Sequence, residues 1–123
     1  MKPKIIDLGF KVNEVDLYTL DLPTEEISMS EIMHNADIPY LEKEGTDDWN
    51  LSPKGLIKNW NKEPTHSTRA EKADLSYPIM IYYFKGNWII LDGVHRFTKT
   101  LKENHKTILA KRVPESAIES LRP

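Results

Sequence analysis

The sequence predicts an α+β fold, a small mixed β-sheet with helices packed on it, over residues 1–123 as one domain. Three observations carry this. Ile79 to Phe84 and Trp88 to Leu91 are β-prone runs on either side of Lys85-Gly86-Asn87, the pattern of a hairpin, since Gly and Asn tolerate the positive φ of tight turns. Val94, Phe97 and Leu101 follow at helical spacing. Thr107 to Val113 then alternates as a last strand and stops at Pro114.

The remaining elements take the chain in order. Lys4 to Leu8 reads as a short strand, and Val15 to Leu22 as a strand or a turn of helix ended by Pro23. Ile27 and Met29 alternate with polar neighbours, which fits a half-buried strand; Ser28-x-x-Glu31 also fits a capping box with a helix from Met29. His34 to Asn50 has the composition of a loop, acidic from Glu42 to Asp48. Ser52-Pro53 opens a helix that must end before Pro64, with Leu56, Ile57 and Trp60 on one face. Thr65 is placed to cap another helix running to Ala73, on which His66 and Arg69 share a face and Lys72 meets solvent. Asn104 stops the helix that begins at Gly93, and Ser116 to Leu121 forms a final helical turn.

Composition narrows the function. Seventeen basic and 19 acidic residues give a net charge of −2, so a large DNA-coating surface is not supported. With no cysteine, disulfides, thiolate metal sites and cysteine nucleophiles are excluded. No signal peptide is legible, and no apolar run approaches the roughly 20 residues that span a bilayer. The expectation is a cytoplasmic protein without a membrane partner.

The chemistry gathers at Asp92-Gly93-Val94-His95-Arg96, where a strand turns into a helix. The first N–H groups of a helix lack internal partners and carry partial positive charge, so a phosphate fits there. Gly93 lets backbone approach a ligand closely, and Arg96 offers bidentate donors. Asp92 can cap the helix, act as a base or hold a metal. Taken singly, Asp92 reads as a cap, His95 as a surface or packed histidine and Arg96 as half of a surface salt bridge; jointly they favour an anion site. Lys99 lies one turn on and either reaches the phosphate or faces water. Tyr77 and Trp88 read as packing residues.

Leu91-Asp92-Gly93-Val94-His95-Arg96 resembles the signature turn of the ParB/sulfiredoxin superfamily, and Ala73-Asp74-Leu75-Ser76-Tyr77-Pro78-Ile79 resembles its ParB-like nuclease group. The likeness runs from about His66 to Val113. It implies a nucleotide (ATP, ADP or CTP) with Mg²⁺, and a phosphotransferase or nucleoside triphosphatase. Carried over, Gly93, Val94, His95 and Arg96 contact phosphates, with Lys99, Arg69, His66 and Ser76 as further binding candidates. Asp92 would orient groups or hold Mg²⁺, and Asp92, His95 or Glu31 would serve catalysis. Sulfiredoxins carry a reactive cysteine where this chain has Val94, which excludes sulfinic-acid repair. A second reading is a nuclease or DNA-binding accessory with Lys99, Lys102, Lys106, Lys111 and Arg112 as a basic margin. A third is an interaction protein without turnover.

Overall fold

The computed structural model describes residues 1–123 as an α+β fold. The strands are β1 (Glu25–Ser28), β2 (Ile79–Phe84), β3 (Asn87–Asp92) and β4 (Thr107–Val113). The helices are α1 (Glu14–Tyr18), α2 (Pro53–Lys58), α3 (Pro64–Glu71), α4 (Val94–Lys102) and α5 (Glu115–Ser120). The sheet runs β1-β4-β2-β3, with β2 and β4 parallel and the other pairs antiparallel. It is the small mixed sheet expected.

Both faces of the sheet are covered, which explains why β2 reads as an unbroken apolar run rather than an alternating one. On one face Ile79, Ile81, Ile90, Ile108 and Ala110 pack with Phe97 of α4 and with Ile32 and Ala36. On the other, Met80, Tyr82, Ile89 and Val113 meet Leu17 of α1, Ile118 of α5 and Ile6. The N-terminal residues therefore supply a second core layer. Lys4–Ile6 is a 3₁₀ turn rather than a strand: the Ile6 and Asp7 N–H groups bond back to the Pro3 and Lys4 carbonyls, no sheet strand pairs with the segment, and Ile6 packs on the sheet while Ile5 stays exposed.

Of the two readings of residues 25–32, the strand forms but ends at Ser28, and the capping box does not form, because the Glu31 carboxylate is held by Arg112 instead of reaching back to the Ser28 N–H. β1 pairs with β4, then the Ser28 hydroxyl accepts from the Ser30 N–H and opens a 3₁₀ turn at Met29–Glu31. Met33–Asp37 is a further 3₁₀ helix that protects an edge, where a loop was expected from His34 on. Its Asn35 donates to the Ile32 and Trp88 carbonyls, each at 2.9 Å, and accepts from the Tyr40 hydroxyl. Tyr40 accepts from the Ile90 N–H at 2.9 Å. The free side of β3 is thus sealed by side chains.

The hairpin turn is shorter than expected. Lys85 and Gly86 alone carry positive φ, at 51° and 84°, and Asn87 already belongs to β3. Ser52 caps α2 as expected, accepting from the Gly55 N–H at 3.0 Å. Thr65 does not cap α3, which begins at Pro64; its hydroxyl and N–H instead donate to Glu44. The helix stops at Glu71, short of Ala73.

Candidate functional site

The turn between β3 and α4 opens into a cavity of about 490 Å³. Gly93 is the N-cap residue, with φ at +100°, and no side chain caps α4. The backbone N–H groups of Val94, His95 and Arg96 find no acceptor within the chain. This is the donor set that an anion satisfies.

Asp92 is therefore not the cap. It is buried at the end of β3, where Oδ1 accepts from the Tyr18 hydroxyl at 3.3 Å and Oδ2 lies 3.6 Å from Arg96 Nη1. The left-handed turn at Gly93 aims its carboxylate at α1 and away from the helix N–H groups. With one oxygen on a hydroxyl and the other beside a guanidinium, Asp92 does not fit as a metal ligand. No three His, Asp or Glu side chains are grouped so that they could hold a metal ion.

Gly93 serves the fold more than a ligand. A Cβ there would lie 2.6 Å from Ile79 Cγ2 and 2.9 Å from Arg96 Nη1. The space its missing side chain leaves is already filled by β2.

The cations divide sharply. Arg96 is half-buried, and its Nη1 donates to the Pro78 carbonyl at 2.9 Å. That one bond ties α4 to the entry of β2, and Nη1 also faces Asp92. Lys99 does not line the cavity: half-exposed, it donates its ammonium to the Glu71 and Ala73 carbonyls, each at 2.9 Å, and so caps the C-terminus of α3. Arg69 is exposed, lines the cavity and makes no hydrogen bond or ion pair. The free guanidinium of the site is Arg69, a lesser candidate from sequence.

His95 also lines the cavity. Burial, reinforced by the positive charges of Arg69 and Arg96 and by His66, pushes its pKa down to about 4, so the ring is neutral at pH 7. Its Nε2 lies 2.8 Å from His66 Nδ1, and His66 Nε2 lies 2.9 Å from Glu42 Oε1. The ring centroids are 5.1 Å apart with planes 24° apart. Two imidazole radii and one hydrogen bond account for that separation, so the rings meet edge to edge. His95 Nδ1 has no partner in the chain and is not sealed from solvent.

His66 is buried and does not itself line the cavity; it acts on the cavity through His95. Glu42 is held there by the segment that follows it. The Glu44 N–H donates to buried Glu63 at 2.7 Å, and the Glu44 carboxylate accepts from the Thr65 hydroxyl at 2.9 Å. The acidic stretch read as a solvated loop is thus pinned to the start of α3.

Two candidates lie elsewhere. Glu31 is bound to Arg112, which also holds Glu25, and is remote from the cavity lining. Arg112 holds the Glu31 carboxyl below the usual range, making it a weak base. The Ser76 hydroxyl donates to Asp74 at 2.7 Å in a local turn and stays outside the cavity. Tyr77, read as packing, is exposed at the cavity rim, whereas Trp88 packs on the core beneath Arg112. The expected basic margin is likewise dispersed: Arg112 is paired, Lys99 is a helix cap and Lys102 sits over the Trp60 ring.

No family model matches the chain, and neither a curated protein nor a solved structure matches it. No helix is long and apolar enough to cross a membrane.

Proposed function

We propose that this chain binds a phosphate-bearing ligand, a nucleotide of the kind the ParB/sulfiredoxin resemblance implies, and acts on it by phosphoryl transfer or hydrolysis. One observation carries the reading. The uncapped N-terminus of α4, the unpaired guanidinium of Arg69 and the neutral ring of His95 meet in one cavity of about 490 Å³. Such a cavity suits a small ligand.

Each group has a distinct task. The backbone N–H groups of Val94 to Arg96 and the Arg69 side chain hold phosphate oxygens and stabilise charge that develops on them. Arg96 keeps the turn in shape through Pro78 and neutralises Asp92. Exposed Tyr77 at the rim offers a face for a base. Any Mg²⁺ would arrive on the phosphates, since the chain builds no cage for it.

The test is titration calorimetry with ATP, ADP, CTP, GTP and inorganic phosphate, with and without Mg²⁺, on native protein and Arg69→Ala. Arg69 is exposed and unpaired, so its removal leaves stability within about 0.5 kcal/mol. Affinity is expected to fall at least tenfold, the equivalent of about 1.4 kcal/mol. Absence of binding by every one of these ligands to the native protein refutes the reading. Binding that ignores Arg69 places the ligand elsewhere.

A further inference from the structure

We infer that Glu42, His66 and His95 form a proton relay in which His95 Nδ1 takes a proton from a water or hydroxyl in the cavity and His66 receives the charge. The inference rests on the phosphate reading for its substrate, but the relay itself is testable without any ligand.

The direction of the chain follows from its acceptors. A carboxylate only accepts, so His66 Nε2 carries a proton and donates it to Glu42. The 2.8 Å bond between the rings then has two forms. When His66 is neutral, its Nδ1 accepts from His95 Nε2–H, and His95 presents a bare Nδ1 to the cavity. When His66 holds two protons, Nδ1–H donates to His95 Nε2, and the His95 proton sits on Nδ1. The two forms differ by one proton, and His95 is neutral in both.

That arrangement solves a charge problem. His95 is largely removed from water and flanked by Arg69 and Arg96, so burial first and the neighbouring charges next disfavour a positive ring there. Passing the Nε2 proton to His66 moves the charge one ring further, where Glu42 faces it at 2.9 Å. The other titratable groups around the cavity are Asp92 from β3, Glu14 and Tyr18 from α1, and Asp74 and Tyr77 ahead of β2. Asp92 is matched by Arg96, Asp74 by Ser76 and Tyr18 by Asp92, and no hydrogen bond joins any of the five to His95.

With a phosphoric anhydride bound, the step balances. The O–H bond of water breaks as N–H forms on His95 Nδ1, and Nε2–H passes to His66 Nδ1. The oxygen lone pair forms the new P–O bond, and the bridging oxygen departs with the electron pair of the bond it loses. The proton returns through His95 Nδ1 to that oxygen or to solvent. His95 is the catalytic residue, and His66 and Glu42 are positioning residues.

The experiment is long-range ¹H–¹⁵N NMR of the ring nitrogens across a pH titration of the intact protein, native and Glu42→Gln. At high pH both His66 and His95 are expected to carry their single proton on Nε2. On acidification His95 is expected to switch from the Nε2–H to the Nδ1–H tautomer in step with His66 becoming doubly protonated. Glu42→Gln, at a half-exposed side chain, is expected to lower that joint midpoint, because the compensating charge is gone. A His95 proton on Nδ1 at high pH overturns the relay, as does His95 itself becoming the imidazolium. An unmoved midpoint in Glu42→Gln removes Glu42 from it. Failure of the nucleotide titration leaves all of these signals readable, so the two proposals fall separately.

Discussion

Replacing Gly93 by alanine separates the two roles that a glycine in this turn can have. If it exists for a ligand, Gly93→Ala weakens binding and leaves the fold alone. The structure argues the opposite. An L-residue at φ +100° incurs roughly 1–2 kcal/mol of backbone strain. The new methyl would stand 2.6 Å from Ile79 Cγ2 and 3.0 Å from Ile79 Cβ, and Ile79 is fully buried. Forcing a methyl into such packing costs typically 1–3 kcal/mol. Lower entropy of the unfolded alanine chain returns roughly 0.4–1 kcal/mol. The net loss is about 1–5 kcal/mol, centred near 3, a large share of the roughly 5–15 kcal/mol that holds a domain folded. In urea denaturation the midpoint should move accordingly with the slope unchanged.

A double-mutant cycle sharpens the test. Ile79→Ala is itself costly, about 2–5 kcal/mol, but it removes the Cγ2 that the new methyl meets. In that background Gly93→Ala keeps its backbone strain and its contacts with Arg96 Nη1 and the residue 79 Cβ but loses its tightest clash, giving a coupling of about 0.5–3 kcal/mol. Strictly additive losses, or a Gly93→Ala protein as stable as the native one, would refute the packing account.

Three further outcomes are expected. Tyr40→Phe strips the Ile90 N–H and Asn35 of a shared partner at the edge of β3; denaturation should show a loss of about 1–3 kcal/mol without change in ligand affinity. Lys99→Met uncaps the end of α3 and should cost about 1 kcal/mol, with nucleotide affinity by calorimetry unchanged within about twofold. Glu31→Gln should flatten the acid limb of stability: the folded carboxyl titrates below its unfolded value, so its contribution is present above the ordinary glutamate range and lost as pH falls through the folded value. For this partly exposed ion pair the effect stays below about 1 kcal/mol, and turnover, if assayed, is untouched.

What was legible in the sequence follows the range of the forces involved. The hairpin, α4 and β4 are local patterns, and each stands within a residue or so of where periodicity and turn residues put it, Asn87 passing from the turn to β3. The 3₁₀ turn at Lys4–Ile6 and the edge-sealing Met33–Asp37 segment answer to tertiary partners, Ile6 to the second sheet face and Asn35 to Trp88, and nothing local announces them. Within the site, the motif marked the strand-to-helix turn whose N–H groups are left uncapped, but it ranked the cations by closeness in sequence. Arg96 and Lys99 lie so close to the turn that their side chains reach backbone carbonyls first, at Pro78, Glu71 and Ala73. Arg69, on another helix, has no such carbonyl in reach and stays free.

The same logic explains why the relay was unreadable. His66 lies 29 positions from His95 and 24 from Glu42. A run such as Glu42-Lys-Glu-Gly-Thr-Asp-Asp48 reads as a solvated loop because most of its charges are solvated. What distinguishes Glu42 is that its neighbour Glu44 both donates to buried Glu63 and accepts from Thr65 at the start of α3. Those bonds fix the loop one turn from His66, and a carboxylate fixed there orients the ring on which His95 depends. Loosening that anchor with Thr65→Val should therefore blur the His66 and His95 tautomers while leaving the cavity's own residues intact. A spectrum with both tautomers still sharp would mean that His66 is oriented by its buried packing and not by Glu42.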